Sequence, residues 1–132
     1  MDLEILKIAS DTENHKVLEN CTHISKQKNP LCGDEMQISL KISNNKIVDF
    51  AYQCKSCIYC QASVSILSKY CINKSIKTVR ELISLLDVFF ENNNSKFPKE
   101  LMKFASLFNK KNLSRKECIL LPLKTLTKAL KS

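Results

Sequence analysis

The sequence predicts an α+β fold in which a small antiparallel sheet of two or three strands packs against four or five helices. Apolar and polar residues alternate from Met36 to Ile42 and from Val48 to Tyr52, the two-residue period of strands with one buried face. Beyond position 62, apolar residues recur every three or four positions, which is the period of helices. A chain of 132 residues is long enough for a modest core, so we expect one domain over residues 1–132.

The first elements combine one helix with a hairpin. Residues 2–9 are predicted to form a short helix, and residues 10–31, which show little periodicity, an extended loop. The residues expected on the buried face of the hairpin are Met36, Ile38, Leu40, Ile42, Val48, Phe50 and Tyr52. Asn44-Asn45 joins the two strands, because asparagine tolerates the positive φ of a two-residue turn.

Three helical segments follow the hairpin. The predicted inward faces are Ala62, Ile66, Leu67 and Tyr70, then Leu82, Leu86, Phe89 and Phe90, then Leu101, Phe104, Ala105 and Phe108. Thr78 and Glu81 have the spacing of a capping box ahead of the second of these helices. Residues 91–96 form a polar linker, and Pro98 suits the first turn of the third helix.

The last helix carries an internal contradiction. Ser114 and Glu117 form another potential capping box just before Cys118, but Pro122 follows four residues after Cys118. A proline there lacks the N–H that would bond the Cys118 carbonyl. Either the helix kinks, which we favour, or the main helix begins at Pro122.

Composition narrows the function classes. No apolar run approaches the roughly 20 residues of a membrane span, and residues 1–9 lack the features of a secretory signal, so we expect a cytoplasmic protein. Thiols stay reduced there, so seven cysteines indicate metal or sulfur chemistry. The net charge of +8 comes from scattered lysines, which favours a solvated basic surface over a nucleic-acid partner.

Four residues are candidate donors to one tetrahedral metal. Cys32 and Asp34 flank Gly33, the only glycine of the chain, whose backbone freedom lets both side chains turn toward one centre. Cys57 and Cys118 each lie near a predicted helix start, which favours the thiolate. Such donors suit zinc, and thiolates also suit iron-sulfur clusters. The alternative is that each cysteine is simply packed and that Asp34 caps a turn.

The remaining thiols and histidines have less context. Cys21 and Cys71 are expected to be packed, and His15 and His23 to lie on the surface. Cys54, Cys57 and Cys60 form two overlapping C-x-x-C pairs, but the fourth cysteine and the proline of a ferredoxin loop are missing. Cys54 and Cys60 are therefore expected to be packed, or close enough to Cys57 to exchange sulfur or form a reversible disulfide.

Three motifs in order resemble the NifU-N/IscU/SufU family of iron-sulfur assembly proteins. They are Asn-Pro-Leu-Cys-Gly-Asp at 29–34, Cys57 with Ala-Ser-Val-Ser at 62–65, and Arg-Lys-Glu-Cys at 115–118. The 61 positions between Cys57 and Cys118 fit the longer insert of the SufU branch, and Glu117 stands where IscU-type members have histidine. Ser56, Cys54, Cys60 and Pro122 depart from the family pattern, and the usual Asn-Pro-Arg-Asn segment is absent.

The resemblance implies an IscU/SufU-like fold and a set of roles. Zinc would be bound by the residues matching Cys32, Asp34, Cys57 and Cys118, with Arg115 near the site. Cys118 would accept persulfide sulfur from a PLP-dependent cysteine desulfurase of the SufS type, and Arg115 would stabilise its thiolate.

The leading hypothesis is therefore a zinc-bound sulfur acceptor for iron-sulfur cluster assembly, acting as acceptor or scaffold and not as a stand-alone enzyme. One alternative is a scaffold that builds a labile [2Fe-2S] cluster on the same ligands, and another is a zinc-stabilised binding module without sulfur chemistry. Downstream acceptors of sulfur or clusters are expected partners, whereas membrane and nucleic acid are not.

Overall fold

The computed structural model describes residues 3–31, 33–89 and 99–131 and has the predicted α+β fold. The described elements, in chain order, are α1 (Leu3–Ala9), β1 (His23–Lys28), β2 (Glu35–Ser43), β3 (Lys46–Lys55), α2 (Ile58–Cys71), α3 (Ile76–Phe89), two 3-10 helices (Lys99–Ser106 and Lys110–Arg115) and α4 (Lys116–Lys131). Phe90, the linker at 91–96 and Pro98 lie outside the described residues, as do the side chains of Phe89 and Glu100.

The hairpin of β2 and β3 confirms the alternating pattern. The strands are antiparallel, and Asn44 and Asn45 have φ values of 53° and 62°, as a two-residue turn requires. Val48 is an exception, because a bulge shifts the register after Lys41 and turns its side chain outward, where it is 40% exposed. Ile47 takes the buried place that the alternation assigned to Val48.

The third strand corrects the expectation of a loop over residues 10–31. His23–Lys28 forms β1, which pairs antiparallel with β2 at the edge of the sheet. Its half-buried positions are His23, Ser25 and Gln27, and Lys26 and Lys28 point to solvent. An edge strand with a polar inner face carries no hydrophobic alternation, so its period is invisible in the sequence.

The helices cover one face of this sheet. The helix α4 packs against β1 and β2, while α2 packs against β3 and against α1 and α4. The fully buried side chains include Met36, Ile38, Leu40, Phe50, Leu67, Leu86, Phe104, Phe108 and Ile119. One continuous apolar core therefore joins the sheet to the helices that carry the thiols.

Helix starts differ in detail from the predictions. Ser75 caps α3, because its Oγ accepts a hydrogen bond from the Thr78 N–H at 3.1 Å, so the capping box at Thr78 and Glu81 is wrong. The third predicted helix is a 3-10 helix, in which Leu101 and Phe104 are buried and Ala105 is half-buried. Phe108, just after this helix, is buried too.

The last helix runs through its proline. Because α4 extends from Lys116 to Lys131 with Pro122 inside, the alternative start at Pro122 is wrong. Ser114 lies within the preceding 3-10 helix and not at the start of α4. The predicted capping box is therefore also wrong, although Cys118 does lie in the first turn of a helix, as expected.

Candidate metal and sulfur site

Three of the four predicted donors meet at one point. The donor atoms of Asp34, Cys57 and Cys118 all lie within 4.8 Å of one another. They come from the loop before β2, the start of α2 and the start of α4. Cys32, the fourth predicted ligand, lies outside the described residues.

A closed loop presents Asp34. The Asn29 N–H donates to the Asp34 carbonyl and the Gly33 N–H donates to the Asn29 carbonyl, both at 2.8 Å. The Asn29 side chain also accepts from the Leu31 N–H at 3.0 Å. Gly33 has a φ of +76°, a conformation that an L-residue rarely adopts, so the loop uses the backbone freedom of its glycine.

Asp34 itself is a buried carboxylate with one unused oxygen. Asp34 is only 8% exposed, and its Oδ2 has no hydrogen-bond partner among the described residues. A buried anionic oxygen without a partner is costly unless a cation or an ordered water neutralises it. Oxygen and two sulfurs around one point are a donor set that zinc accepts, so these residues fit the metal.

Cys57 occupies the N-cap position of α2. Its backbone is extended (φ −69°, ψ 167°), and its side chain makes no capping hydrogen bond. The half-buried sulfur therefore lies at the positive end of the helix dipole.

Cys118 is buried in the first turn of α4, and a buried hydroxyl ties that turn to α2. Ser63 Oγ donates a hydrogen bond to the Ile119 carbonyl at 2.7 Å. Two residues along α2, Ser65 Oγ donates to the Asp11 carbonyl at 2.9 Å, which ties α2 to the segment after α1. Sequence analysis placed these serines only in a motif. Their position among apolar residues on one helix was the signal that could have indicated a buried contact with another element.

Arg115 precedes α4 and stacks on an aromatic ring. Its guanidinium carbon lies 5.5 Å from the centroid of the Tyr59 ring, a cation–π contact between the two helix starts that carry the thiols. Glu117, at the position of the IscU-type histidine, forms an ion pair with Lys124 at 3.2 Å. The role of Arg115 in stabilising a thiolate stays a prediction.

The two additional cysteines border the same site. Burial raises the pKa of the half-buried Cys54 thiol and, more strongly, that of the buried Cys60 thiol, and the neighbouring Asp34 carboxylate adds to both shifts. Ser56 Oγ lies beside both sulfurs and opposes these shifts slightly, yet no described residue forms a well-aligned hydrogen bond with it.

The other thiols and both histidines stand apart from this cluster. Cys71 is buried at the end of α2, as expected, and Cys21 is half-buried. His15 stacks on Tyr52 with ring centroids 5.1 Å apart, and His23 Nδ1 lies 2.8 Å from the Thr22 hydroxyl. Within the described residues, the Asp34 cluster contains no histidine.

Known proteins share the sequence and the fold of this chain. The family model described as the NifU-like N terminal domain matches residues 3–112. The chain belongs to this family. The predicted resemblance is thereby confirmed, and the family is one of iron-sulfur cluster assembly scaffolds.

Individual relatives are similar over nearly the whole chain. The iron-sulfur cluster assembly scaffold protein IscU of Thermotoga maritima is 29% identical over 129 residues, which cover 96% of this chain and 89% of that protein. The crystal structure of SufU from Fervidobacterium islandicum, described as a cluster assembly scaffold protein for the SUF system, has a TM-score of 0.88 at 26% identity and covers 98% of this chain and 96% of its own. This match supports the SufU-like branch.

A NifU-like protein from Brucella abortus shares the fold. Its N-terminal structure has a TM-score of 0.84 at 20% identity and covers 98% of this chain and 91% of its own.

Among the residues described here, no helix is both long enough and apolar enough to cross a membrane.

Proposed function

We propose that this chain is a zinc-bound acceptor of persulfide sulfur in iron-sulfur cluster assembly. The observation that supports the proposal is the meeting of Asp34, Cys57 and Cys118, with donor atoms within 4.8 Å of one another. The partnerless Asp34 Oδ2 adds to it, since a cation would complete the coordination of that oxygen.

Zinc would be held by Cys32, Asp34, Cys57 and Cys118. Cys32 is two residues before Asp34 in the loop closed by Asn29, so the same turn would supply both donors. When bound, zinc keeps its cysteine ligands deprotonated and adds its binding free energy to the folded state.

Cys118 would accept the sulfur from a PLP-dependent cysteine desulfurase of the SufS type. When the desulfurase docks, the Cys118 thiolate would attack the outer sulfur of the enzyme persulfide. A new S–S bond forms on Cys118 while the desulfurase thiolate leaves. Arg115, three residues earlier and oriented by Tyr59, would stabilise the Cys118 thiolate by its charge.

Labelled cysteine tests the proposal. Purified protein is incubated with a cysteine desulfurase and ³⁵S-cysteine, and protein-bound label is measured without reducing agent. We expect label on the wild type and on Cys71→Ser, a control that also removes a buried thiol, and none on Cys118→Ser. Equal labelling of Cys118→Ser and wild type would show that Cys118 is not the acceptor.

A scaffold that builds a [2Fe-2S] cluster is the second candidate. The Thermotoga relative is named as a scaffold, and the same thiolates would hold the cluster as cargo, with the harder Asp34 oxygen making it labile. Anaerobic reconstitution separates the candidates: visible absorption with stoichiometric iron and sulfide supports the scaffold, and a colourless protein with one zinc supports the acceptor.

The third candidate is a zinc-stabilised binding module, which would leave desulfurase turnover unchanged when the protein is added. For the acceptor we propose a cytoplasmic setting, one domain over residues 1–132, and downstream acceptors of sulfur for clusters or for tRNA thiolation.

A further inference from the structure

The proposed function gives no role to the second thiol at the start of α2, Cys60, which follows Cys57 with two residues between them. Cys57 is the N-cap residue and Cys60 is the third residue of the helix. In this arrangement the N-cap side chain points toward the third helical residue, which is why N-cap hydroxyls bond its N–H. Cys57 makes no such bond, so no capping hydrogen bond holds its sulfur, and Cys60 lies in the first turn that follows.

Burial divides the roles of these two thiols. Cys60 is 0% exposed, whereas Cys57 is half-buried. An external reagent therefore reaches Cys57 first, and Cys60 reacts only with what Cys57 carries. This division of one accessible and one covered thiol at a helix N-terminus is typical of C-x-x-C dithiols in redox proteins.

Cys54 has the same spacing from Cys57 but a different geometry. It belongs to β3, and the chain from there to Cys57 precedes the helix, where three residues of extended backbone span about 10 Å. Helical spacing therefore favours Cys60, one turn along α2, as the partner of Cys57.

We propose that Cys57 and Cys60 form a dithiol–disulfide pair that releases the accepted sulfur as sulfide. The inference rests on the proposed function, because that function supplies the persulfide. It adds an activity, the two-electron reduction of sulfane sulfur within this chain, that sulfur acceptance alone does not include.

The chemistry has two steps. Cys57 and Cys118 donor atoms lie within 4.8 Å, so the Cys57 thiolate attacks the outer sulfur on Cys118 and the Cys118 thiolate leaves. The Cys60 thiol then attacks Cys57 Sγ, the bond from Cys57 to the outer sulfur breaks, and hydrosulfide departs with the Cys60 proton. Two thiols become one disulfide, and one sulfane sulfur gains two electrons. An external dithiol reductant restores the pair.

The test compares sulfide release from persulfide-loaded variants. Wild type, Cys60→Ala, Cys54→Ala and Cys71→Ala are loaded anaerobically with desulfurase and cysteine, separated from both, and followed for free sulfide and remaining persulfide. Cys71→Ala is a matched packing control, because Cys71 is also fully buried on α2. We expect Cys60→Ala to keep its persulfide and release sulfide at least about tenfold more slowly, and both controls to behave like the wild type.

Peptide mapping identifies the bond formed. Trypsin places Cys57 and Cys60 together in the peptide of residues 56–69, Cys54 in 47–55 and Cys118 in 117–124. A Cys57–Cys60 disulfide makes the first peptide two hydrogens lighter without any cross-link. A cross-link between peptides 56–69 and 117–124, or equal sulfide release from Cys60→Ala and wild type, would overturn the inference while leaving sulfur acceptance intact.

If no variant acquires a persulfide, the proposed function fails, and the pair is then tested directly. Metal-free wild type is treated with oxidised glutathione. An internal disulfide in peptide 56–69, absent from Cys60→Ala, supports the pair. A glutathione adduct that persists on Cys57 in the wild type overturns it.

Discussion

Removing the Ser63 hydroxyl tests whether the contact between α2 and α4 sets the geometry of the site. Ser63 is 0% exposed and donates at 2.7 Å to the Ile119 carbonyl, one residue beyond Cys118. A buried hydrogen bond contributes about 0.5–1.5 kcal/mol net, so Ser63→Ala is expected to lower the free energy of unfolding by about that amount. If the variant lets α4 shift so that Cys118 leaves Cys57 in the metal-free state, zinc has to restore that contact, and zinc affinity falls by up to about tenfold.

Ser65→Ala is the matched control. It removes a hydroxyl from the same helix that is also buried and also donates to a backbone carbonyl, but its partner is Asp11 and not α4. We therefore expect a similar loss of stability from Ser65→Ala with unchanged zinc affinity.

Two measurements decide the outcome. Urea denaturation of the metal-free variants gives the change in unfolding free energy, and competition with a chromophoric chelator gives zinc affinity. The reasoning is wrong if Ser63→Ala loses stability but binds zinc like the wild type, or if both variants lose zinc affinity equally.

Three further outcomes follow from the structure. Gly33→Ala should cost about 1–2 kcal/mol of backbone strain, because the φ of residue 33 is +76°. The new Cβ itself has room, since no described residue beyond the chain neighbours lies within 4 Å of it. Zinc affinity should fall with stability in the chelator assay, and an unchanged urea midpoint would contradict this prediction. Burial raises the pKa of Tyr52 to about 12, so the ultraviolet titration step near that pH should be absent from Tyr52→Phe. The free energy of unfolding should fall as pH rises from about 10 to 12, because the tyrosine of the unfolded chain loses its proton first. An unchanged titration curve in Tyr52→Phe would refute the assignment. Chelation should leave the far-ultraviolet circular dichroism unchanged while lowering the melting temperature, and loss of helical signal would contradict a metal-independent core.

Sequence reasoning worked where the determining interactions are local. The hairpin at Asn44-Asn45 and the helix periods of α2 and α3 depend on residues a few positions apart, and the structure has these elements. It failed for β1, whose pairing with β2 is set by a neighbour strand and not by its own polar sequence. It also failed for Val48, because a bulge depends on how two strands fit together.

The site shows the same division. Motif spacing brought Asp34, Cys57 and Cys118 into one hypothesis, but the lone Asp34 Oδ2 and the Ser63 contact with Ile119 exist only between elements that are distant in the chain. The cap of α3 lies at Ser75, three residues before the predicted Thr78, and α4 continues through Pro122. Both differences reflect tertiary packing that outweighs local preference.

The core bears on what the metal is for. A zinc-stabilised module needs its metal because its apolar core is too small to fold alone, and removal of zinc then unfolds it. Here the apolar core runs from Ile5 in α1 to Leu130 in α4, and a hydrogen bond from Ser63 joins α2 to α4. Asp34, Cys57 and Cys118 thus lie on elements that also pack against one another through this core. We therefore expect that Cys118 can leave a bound metal while the fold persists, which is the property a sulfur acceptor needs and a purely structural zinc site lacks.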